Sequence, residues 1–157
     1  MSKTQRRRRR ERKTDYKARL ALLKADRPRL VVRKTNRYIL AQIVKSDTAQ
    51  DKVLIECSSK ELLTKGWPKE LAGSLKSLTA AYLTGYLLVK KMKEKQGEFI
   101  LDTGLNRNVK GSRLYAVLKG ALDAGLKIAH KSEALPTDER IKSNEKTANL
   151  LKLKEKM

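Results

Sequence analysis

Residue types able to do covalent or metal chemistry are sparse in this 157-residue chain. A metal-dependent nuclease needs several carboxylates converging at strand ends. The candidates are Glu56, Asp102 and Asp123, and the first two stand alone in their segments. Asp102, followed by Thr103-Gly104, is better suited to shaping a turn through its own local backbone bonds. His130 is the single histidine, so no His pair or His-containing metal cluster can form. Cys57 is the single cysteine, which removes an internal disulfide and any Cys-based zinc site. Its alternation with Val53 and Ile55 puts it on the apolar face of a strand as an inert core residue. Gly104, Gly111 and Gly120 lack the Gly-Lys-Ser/Thr ending of a phosphate-binding loop. The chain is therefore expected not to be an enzyme, with no metal site, no cofactor and no small-molecule substrate.

Cations dominate instead. There are 38 Lys and Arg against 17 Asp and Glu, a formal net charge of +21. Residues 1–40 hold 16 of these cations and 3 acids, while the remaining chain holds 22 and 14. The densest run is Arg6, Arg7, Arg8, Arg9 and Arg10, followed by Arg12 and Lys13. Guanidiniums this close repel one another and have no apolar neighbours to bury, so the run should be disordered when free. Arginine also binds phosphate oxygens in pairs and stacks on bases. Three readings fit it: a nucleic-acid-binding arm, a nuclear import signal, or a solubilising or membrane-surface patch. The surplus beyond the arm favours the first, because an import signal does not require a basic domain behind it. A second basic segment runs from Asn106 through Arg107, Asn108, Val109, Lys110, Gly111 and Ser112 to Arg113. Cations, amides and a helix N-terminus in one segment suit the holding of a nucleic-acid backbone.

The length suits one domain with enough chain to enclose a core. No apolar run approaches the ~18–20 residues that span a bilayer, and no apolar stretch follows the basic N-terminus as in a signal peptide. A soluble intracellular protein with a polyanionic partner, and no membrane partner, is expected. The elements that must position the cations can be read in order. Thr14 or Asp15 caps a short helix to about Ala25, with Tyr16, Leu20 and Leu23 inward, and Pro28 stops it. Leu30–Lys34, Tyr38–Lys45 and Lys52–Ser58 are strands, joined closely enough to require antiparallel hairpins. The second strand is apolar on both faces, so helices should cover much of both sheet faces.

Gly66-Trp67-Pro68 marks a turn, with Trp67 as a cover over the sheet edge in preference to a base-stacking platform. The longest helix is expected from Ser74 to about Gln96, with Leu75, Leu78, Tyr82, Gly85, Val89 and Met92 on one stripe. Gly85 implies a close helix–sheet approach, and Lys90, Lys91, Lys93 and Lys95 compensate the dipole at the helix end. Glu98–Asp102 is a fourth strand, able to lie parallel to an earlier one. A loop from Thr103 to Gly111 leads to a helix capped by Ser112, with Leu114, Val117, Leu118 and Ala121 inward. Pro136 and Thr137 can open a last helix with Ile141, Ala148 and Leu151 in a thin stripe. The fold class is α/β: a mixed sheet made of a three-stranded antiparallel meander plus a strand after a long helix, with helices packed on it and a disordered basic N-terminal arm. The organisation reads as an arm at 1–13, an α/β body at 14–130, and a surface helix or tail at 131–157.

Several stretches in fixed order resemble a known family. They are Arg6–Arg10 through Thr14-Asp15-Tyr16, Leu20 to Leu23, and Pro28-Arg29-Leu30-Val31-Val32-Arg33-Lys34-Thr35-Asn36-Arg37. Ala80-Ala81-Tyr82-Leu83-Thr84-Gly85, Leu101-Asp102-Thr103-Gly104-Leu105 and Gly111-Ser112-Arg113-Leu114-Tyr115-Ala116 continue the series. Gly120-Ala121-Leu122-Asp123-Ala124-Gly125-Leu126 and His130 complete it. Together they resemble the archaeal branch of large-subunit ribosomal protein L-eighteen, counterpart of eukaryotic L-five. The resemblance implies a structural protein of the cytoplasmic large ribosomal subunit that binds 5S rRNA and anchors it in the central protuberance. Large-subunit rRNA and neighbouring ribosomal proteins are the further partners it implies.

It further implies that Arg6–Arg10, Arg12 and Lys13 thread along RNA, and that Arg33, Lys34, Asn36, Arg37 and Tyr38 present the first hairpin to it. The same role extends to Arg107, Lys110, Ser112 and Arg113. The tail departs from the family: Glu139-Arg140-Ile141 is present, but Ser143-Asn144-Glu145-Lys146 stands where a Gly-x-His-Ile segment is usual. Without the resemblance, the residues reach an RNA- or DNA-binding structural protein. RNA is favoured by the lack of a helix-turn-helix or zinc module and by Tyr38, placed to stack on an unpaired base. A basic nucleic-acid chaperone or chromatin-like protein with no fixed target is the alternative from another class, and a metal nuclease the third.

Overall fold

The computed structural model of the protein describes residues 4, 6–48, 50–92, 97–143 and 149–156. Its centre is a five-stranded mixed sheet in the order β3-β2-β1-β4-β5. β1 (Arg29–Lys34), β2 (Ile39–Asp47) and β3 (Gln50–Ser58) form the antiparallel meander. β4 (Glu98–Asp102) returns parallel to β1, and a two-residue β5 (Lys127–Ile128) lies parallel to β4. The first four strands were expected from their β-branched content and spacing. β5 is too short to leave an alternation in the sequence.

Register decides which residues enter the core. Leu30 opposes Ile43, Val32 opposes Ala41, and Ala41 opposes Cys57, so these lie together on one face and are all buried. A bulge between Ile43 and Val44 gives β3 one extra residue there. Because side chains alternate, that extra residue turns everything before it to the other face. Val53 therefore does not share the inner face with Ile55 and Cys57 as simple alternation predicted; it is exposed, as is Leu54.

α3 (Leu78–Lys91) and α4 (Arg113–Asp123) cover the inner face. α3 is shorter than the expected 74–96. Ser77 ends it by accepting a hydrogen bond from Ala80 N at 3.2 Å, and a 3-10 segment, Lys69–Ser74, precedes it. Met92 leaves helical geometry at the other end. Lys93 and Lys95 lie outside the described residues. Nearly every face of α3 is buried, because the sheet lies on one side and α4 on the other. Gly85 serves that second contact: a Cβ there would stand 2.0 Å from Val117 O of α4. The close approach is helix to helix, not helix to sheet.

The opposite sheet face is less covered than β2 suggested. α2 (Tyr16–Lys24), capped by Asp15 accepting from Lys17 N and Ala18 N, packs over part of it. Leu22 and Leu23 are half-buried, whereas the expected inward residue Leu20 is exposed. α2 is instead held by Arg19, whose guanidinium pairs with Asp51 at 3.1 Å. Leu40, Val53 and Leu54 remain in solvent. Trp67 is fully buried, its indole N–H donating to Leu71 O, so it serves as core and not as a stacking platform. It follows a 3-10 segment, Ser59–Lys65, with a Ser58/Glu61 capping box that sequence periodicity did not reveal.

The C-terminal region is not one thin helix among the described residues. α5 (Asp138–Lys142) is a short helix capped by Thr137, followed after residues 144–148 by a 3-10 segment, Asn149–Lys156. Ala148 lies outside the described residues. Ile141 and Leu153 both join the main core. Thr79 Oγ1 donates to Ile141 O, and Lys154 Nζ donates to the Tyr82 hydroxyl, so the tail is tied to α3 at two places.

Candidate nucleic-acid interface

The loop between β4 and α4 is the organising element. Asp102 opens it by accepting from Gly104 N at 2.9 Å, the turn-shaping role read from its neighbours. The same carboxylate receives Arg29 Nη1 at 3.2 Å and Arg33 Nη2 at 2.9 Å. Arg29 is itself buried and also meets Asp51 at 2.7 Å and Ser46 at 2.8 Å. Burial alone would raise the Asp51 carboxyl, but the Ser46 hydroxyl and the charges of Arg29 and Arg19 hold it below its ordinary value. This network locks the ends of β1, β2 and β4 together and fixes where the loop leaves the sheet.

Asn106 Nδ2 donates to Thr103 O, Thr103 Oγ1 to Asn108 Oδ1, and Gly111 N to Ala134 O. The loop thus has a defined course before Ser112 starts α4. On one side of it lies a cleft of about 500 Å³, lined by Lys34, Arg107, Ser112 and Arg113 among others. On the other side, between α2 and the sheet, lies a groove of about 800 Å³ whose walls include Arg8, Lys13 and Arg33. Asn106 borders both. Arg9 and Arg12 flank Leu105 on the same loop. Arm, hairpin and loop residues far apart in sequence are thereby neighbours.

Of the other expected contacts, Arg6, Arg7, Arg10, Asn36, Arg37, Tyr38 and Lys110 line neither the cleft nor the groove. The run of arginines is not featureless: Arg7–Arg10 form α1, one helical turn with every side chain exposed. The turn is held by Arg8 Nε donating to Thr14 Oγ1 at 2.9 Å, and Arg6 lies 4.9 Å over the Tyr16 ring. Arg7 and Lys13 meet Glu11 at 3.8 and 2.9 Å. Arg37 and Lys34 are exposed without an ion-pair partner among the described residues. Arg33 is committed to Asp102 on one side and 40% exposed on the other. Asn36 accepts from Lys76 Nζ through its backbone carbonyl. Tyr38 is half-buried against the core. Lys110 pairs with Glu133 at 2.9 Å, both well exposed.

Arg140 was not foreseen; α5 brings it to the same cleft as Arg113. Its only signal was the Glu-Arg-Ile triplet shared with the family.

Among the described residues no cluster gathers the acids. Glu56 accepts from Gln42 Nε2, Asp102 serves the arginines, and Asp123 accepts from the Tyr82 hydroxyl at 2.6 Å. Three carboxylates held in three separate pairings do not make a cation site. Among the described residues no helix is long and apolar enough to cross a membrane.

The family model described as ribosomal large subunit proteins 60S L5 and 50S L18 matches residues 2–98 and 93–131. Large ribosomal subunit protein uL18 of Korarchaeum cryptofilum (strain OPF8) is 51% identical over 151 residues, covering 95% of this chain and 75% of that one. The protein of that name from Methanoregula boonei is 44% identical over 153 residues, covering 93% and 86%. That of Methanospirillum hungatei is 48% identical over 137 residues, covering 87% and 76%. The chain belongs to the family of ribosomal large subunit proteins L5 and L18. It is a structural constituent of the large ribosomal subunit, where rRNA and other ribosomal proteins are its neighbours, and not an enzyme.

Proposed function

We propose that this protein binds 5S rRNA and anchors it in the central protuberance of the large subunit. The observation that carries the reading is the adjacency at Asn106: the groove of Arg8, Lys13 and Arg33 and the cleft of Lys34, Arg107 and Arg113 meet there. A surface of this kind neutralises several phosphates along a folded RNA, while the rigid sheet behind it fixes their spacing. Recognition then works through RNA shape and phosphate position, with the arm extending the contact beyond the body.

A pull-down from deproteinised total ribosomal RNA tests this. 5S rRNA should be enriched over fragments of the larger rRNAs when the retained species are sequenced. Enrichment of a large-rRNA segment without 5S rRNA would move the protein's primary target elsewhere in the subunit.

A further inference from the structure

We infer that the cleft between the N-termini of α3 and α4 is a seat for one phosphodiester group of the bound RNA, completed by Arg140 from the C-terminal segment. The inference rests on the RNA-binding reading above and adds a site to it. The cleft is lined by Lys34, Arg107, Arg113 and Arg140, none of which has an ion-pair partner among the described residues, and by no carboxylate. Four cations left together without a counter-charge repel one another, and an anion between them removes that repulsion. Both α3 and α4 point their N-terminal ends, the positive ends of their dipoles, at the same space.

The two helix starts differ in one respect. Ser77 caps α3 through its side chain, but Ser112 makes no such bond to α4. Its hydroxyl oxygen is shielded from solvent and is the one buried side-chain N or O without a hydrogen-bond partner among the described residues. Buried polar groups left unpaired are rare because each forfeits its bond to water. Turned toward the cleft, the Ser112 hydroxyl would donate to a phosphate oxygen there, beside the first-turn amides of α4.

Arg140 reaches the site because α5 is anchored independently of any ligand. Ile141 is buried, and its carbonyl accepts from Thr79 Oγ1 at 2.9 Å. Gly111, at φ +64°, leaves the Arg140 guanidinium room: a Cβ there would stand 3.3 Å from Nη1.

The test follows backbone amide resonances of Arg113, Leu114 and Tyr115 in the full chain during titration with a short single-stranded RNA. The same sequence with uncharged methylphosphonate linkages and a polyglutamate peptide serve as parallel probes. Shifts with the RNA and none with the methylphosphonate are expected. Arg140→Met should lower the log–log salt slope of RNA binding by about 0.7–0.9, the value for one lost phosphate contact. Ser112→Ala should leave the melting temperature unchanged or higher, yet weaken RNA binding roughly tenfold or more.

Silent amides while 5S rRNA is retained in preference to transfer RNA would overturn the phosphate seat and leave the functional reading standing. Shifts with every RNA and no preference for 5S rRNA would do the reverse. A response to polyglutamate alone would make the cleft a protein-docking site and overturn the proposal.

Discussion

Gly85 and Gly120 lie on the facing sides of α3 and α4 where the two helices cross, and each stands where the other helix's backbone leaves no room for a side chain. A Cβ on Gly85 would stand 2.0 Å from Val117 O, and one on Gly120 would stand 2.0 Å from Tyr82 O. Neither obstacle is a flexible side chain, so a methyl group at either place must force the helices apart. Gly85→Ala and Gly120→Ala should each destabilise the protein at or beyond the upper end of about 1–3 kcal/mol, read from chemical denaturation. The double variant should lose less than the sum, since one separation relieves both clashes. Two small, additive losses would mean the crossing is looser than this contact implies.

That crossing also shows how far sequence carries. Gly85 announced a close approach, because a helix interior tolerates glycine only for a reason, but not which element approached it. The strands of the meander and β4 were legible from β-branched runs separated by short turns. The bulge at Leu54 was not, since one inserted residue leaves alternation intact to the eye while reversing Val53. Residues of the basic surface could be named from charge and from family resemblance. Their convergence at Asn106 depends on Arg29 and Asp102 pairing over 73 positions of sequence, a contact that no local pattern encodes. Arg140 was missed for the same reason: its place is set by Ile141 entering the core.

The Arg29 network predicts an acid-side dependence of stability. Asp51 is held below its ordinary 3.8 in the folded protein despite the opposing effect of burial. Glu61 is similarly held down by Lys91 and the Ser58 amide against its own burial, and Asp138 is lowered by Lys119. A carboxyl depressed by folding adds stability that is complete above its unfolded value and lost as pH falls through the folded one. Melting temperature should therefore be nearly flat at neutral pH and drop below about pH 4. Asp51→Asn should flatten part of that drop.

Breaking the network from the cationic side is more damaging. Arg29 has only 3% of its side chain exposed and faces both Asp51 and Asp102. Arg29→Met should destabilise by about 3–5 kcal/mol, because it leaves carboxylates without their central partner. Equilibrium urea denaturation checks this, and a change below about 1 kcal/mol would show that the remaining arginines suffice.

Cys57 should be chemically silent in the folded protein. Burial, with the Glu61 charge adding to it, pushes its thiol up to about 12, so thiolate is negligible at neutral pH. A thiol reagent should label it only at the rate of unfolding. Fast labelling in native buffer would place Cys57 outside the core.

Replacing Arg6–Arg10 with alanine should weaken RNA binding and lower the log–log salt slope by roughly 3.5–4.5, for five lost phosphate contacts. The melting temperature should barely move, since α1 buries no residue. An unchanged slope would mean the arm does not touch phosphates.

The most direct measurement is competitive binding of 5S rRNA at near-physiological salt against excess transfer RNA and a matched DNA duplex. Selective recognition predicts that 5S rRNA stays bound with a preference of roughly a thousandfold or more. Equal displacement by all competitors would contradict it and leave a basic protein that holds any polyanion of sufficient charge.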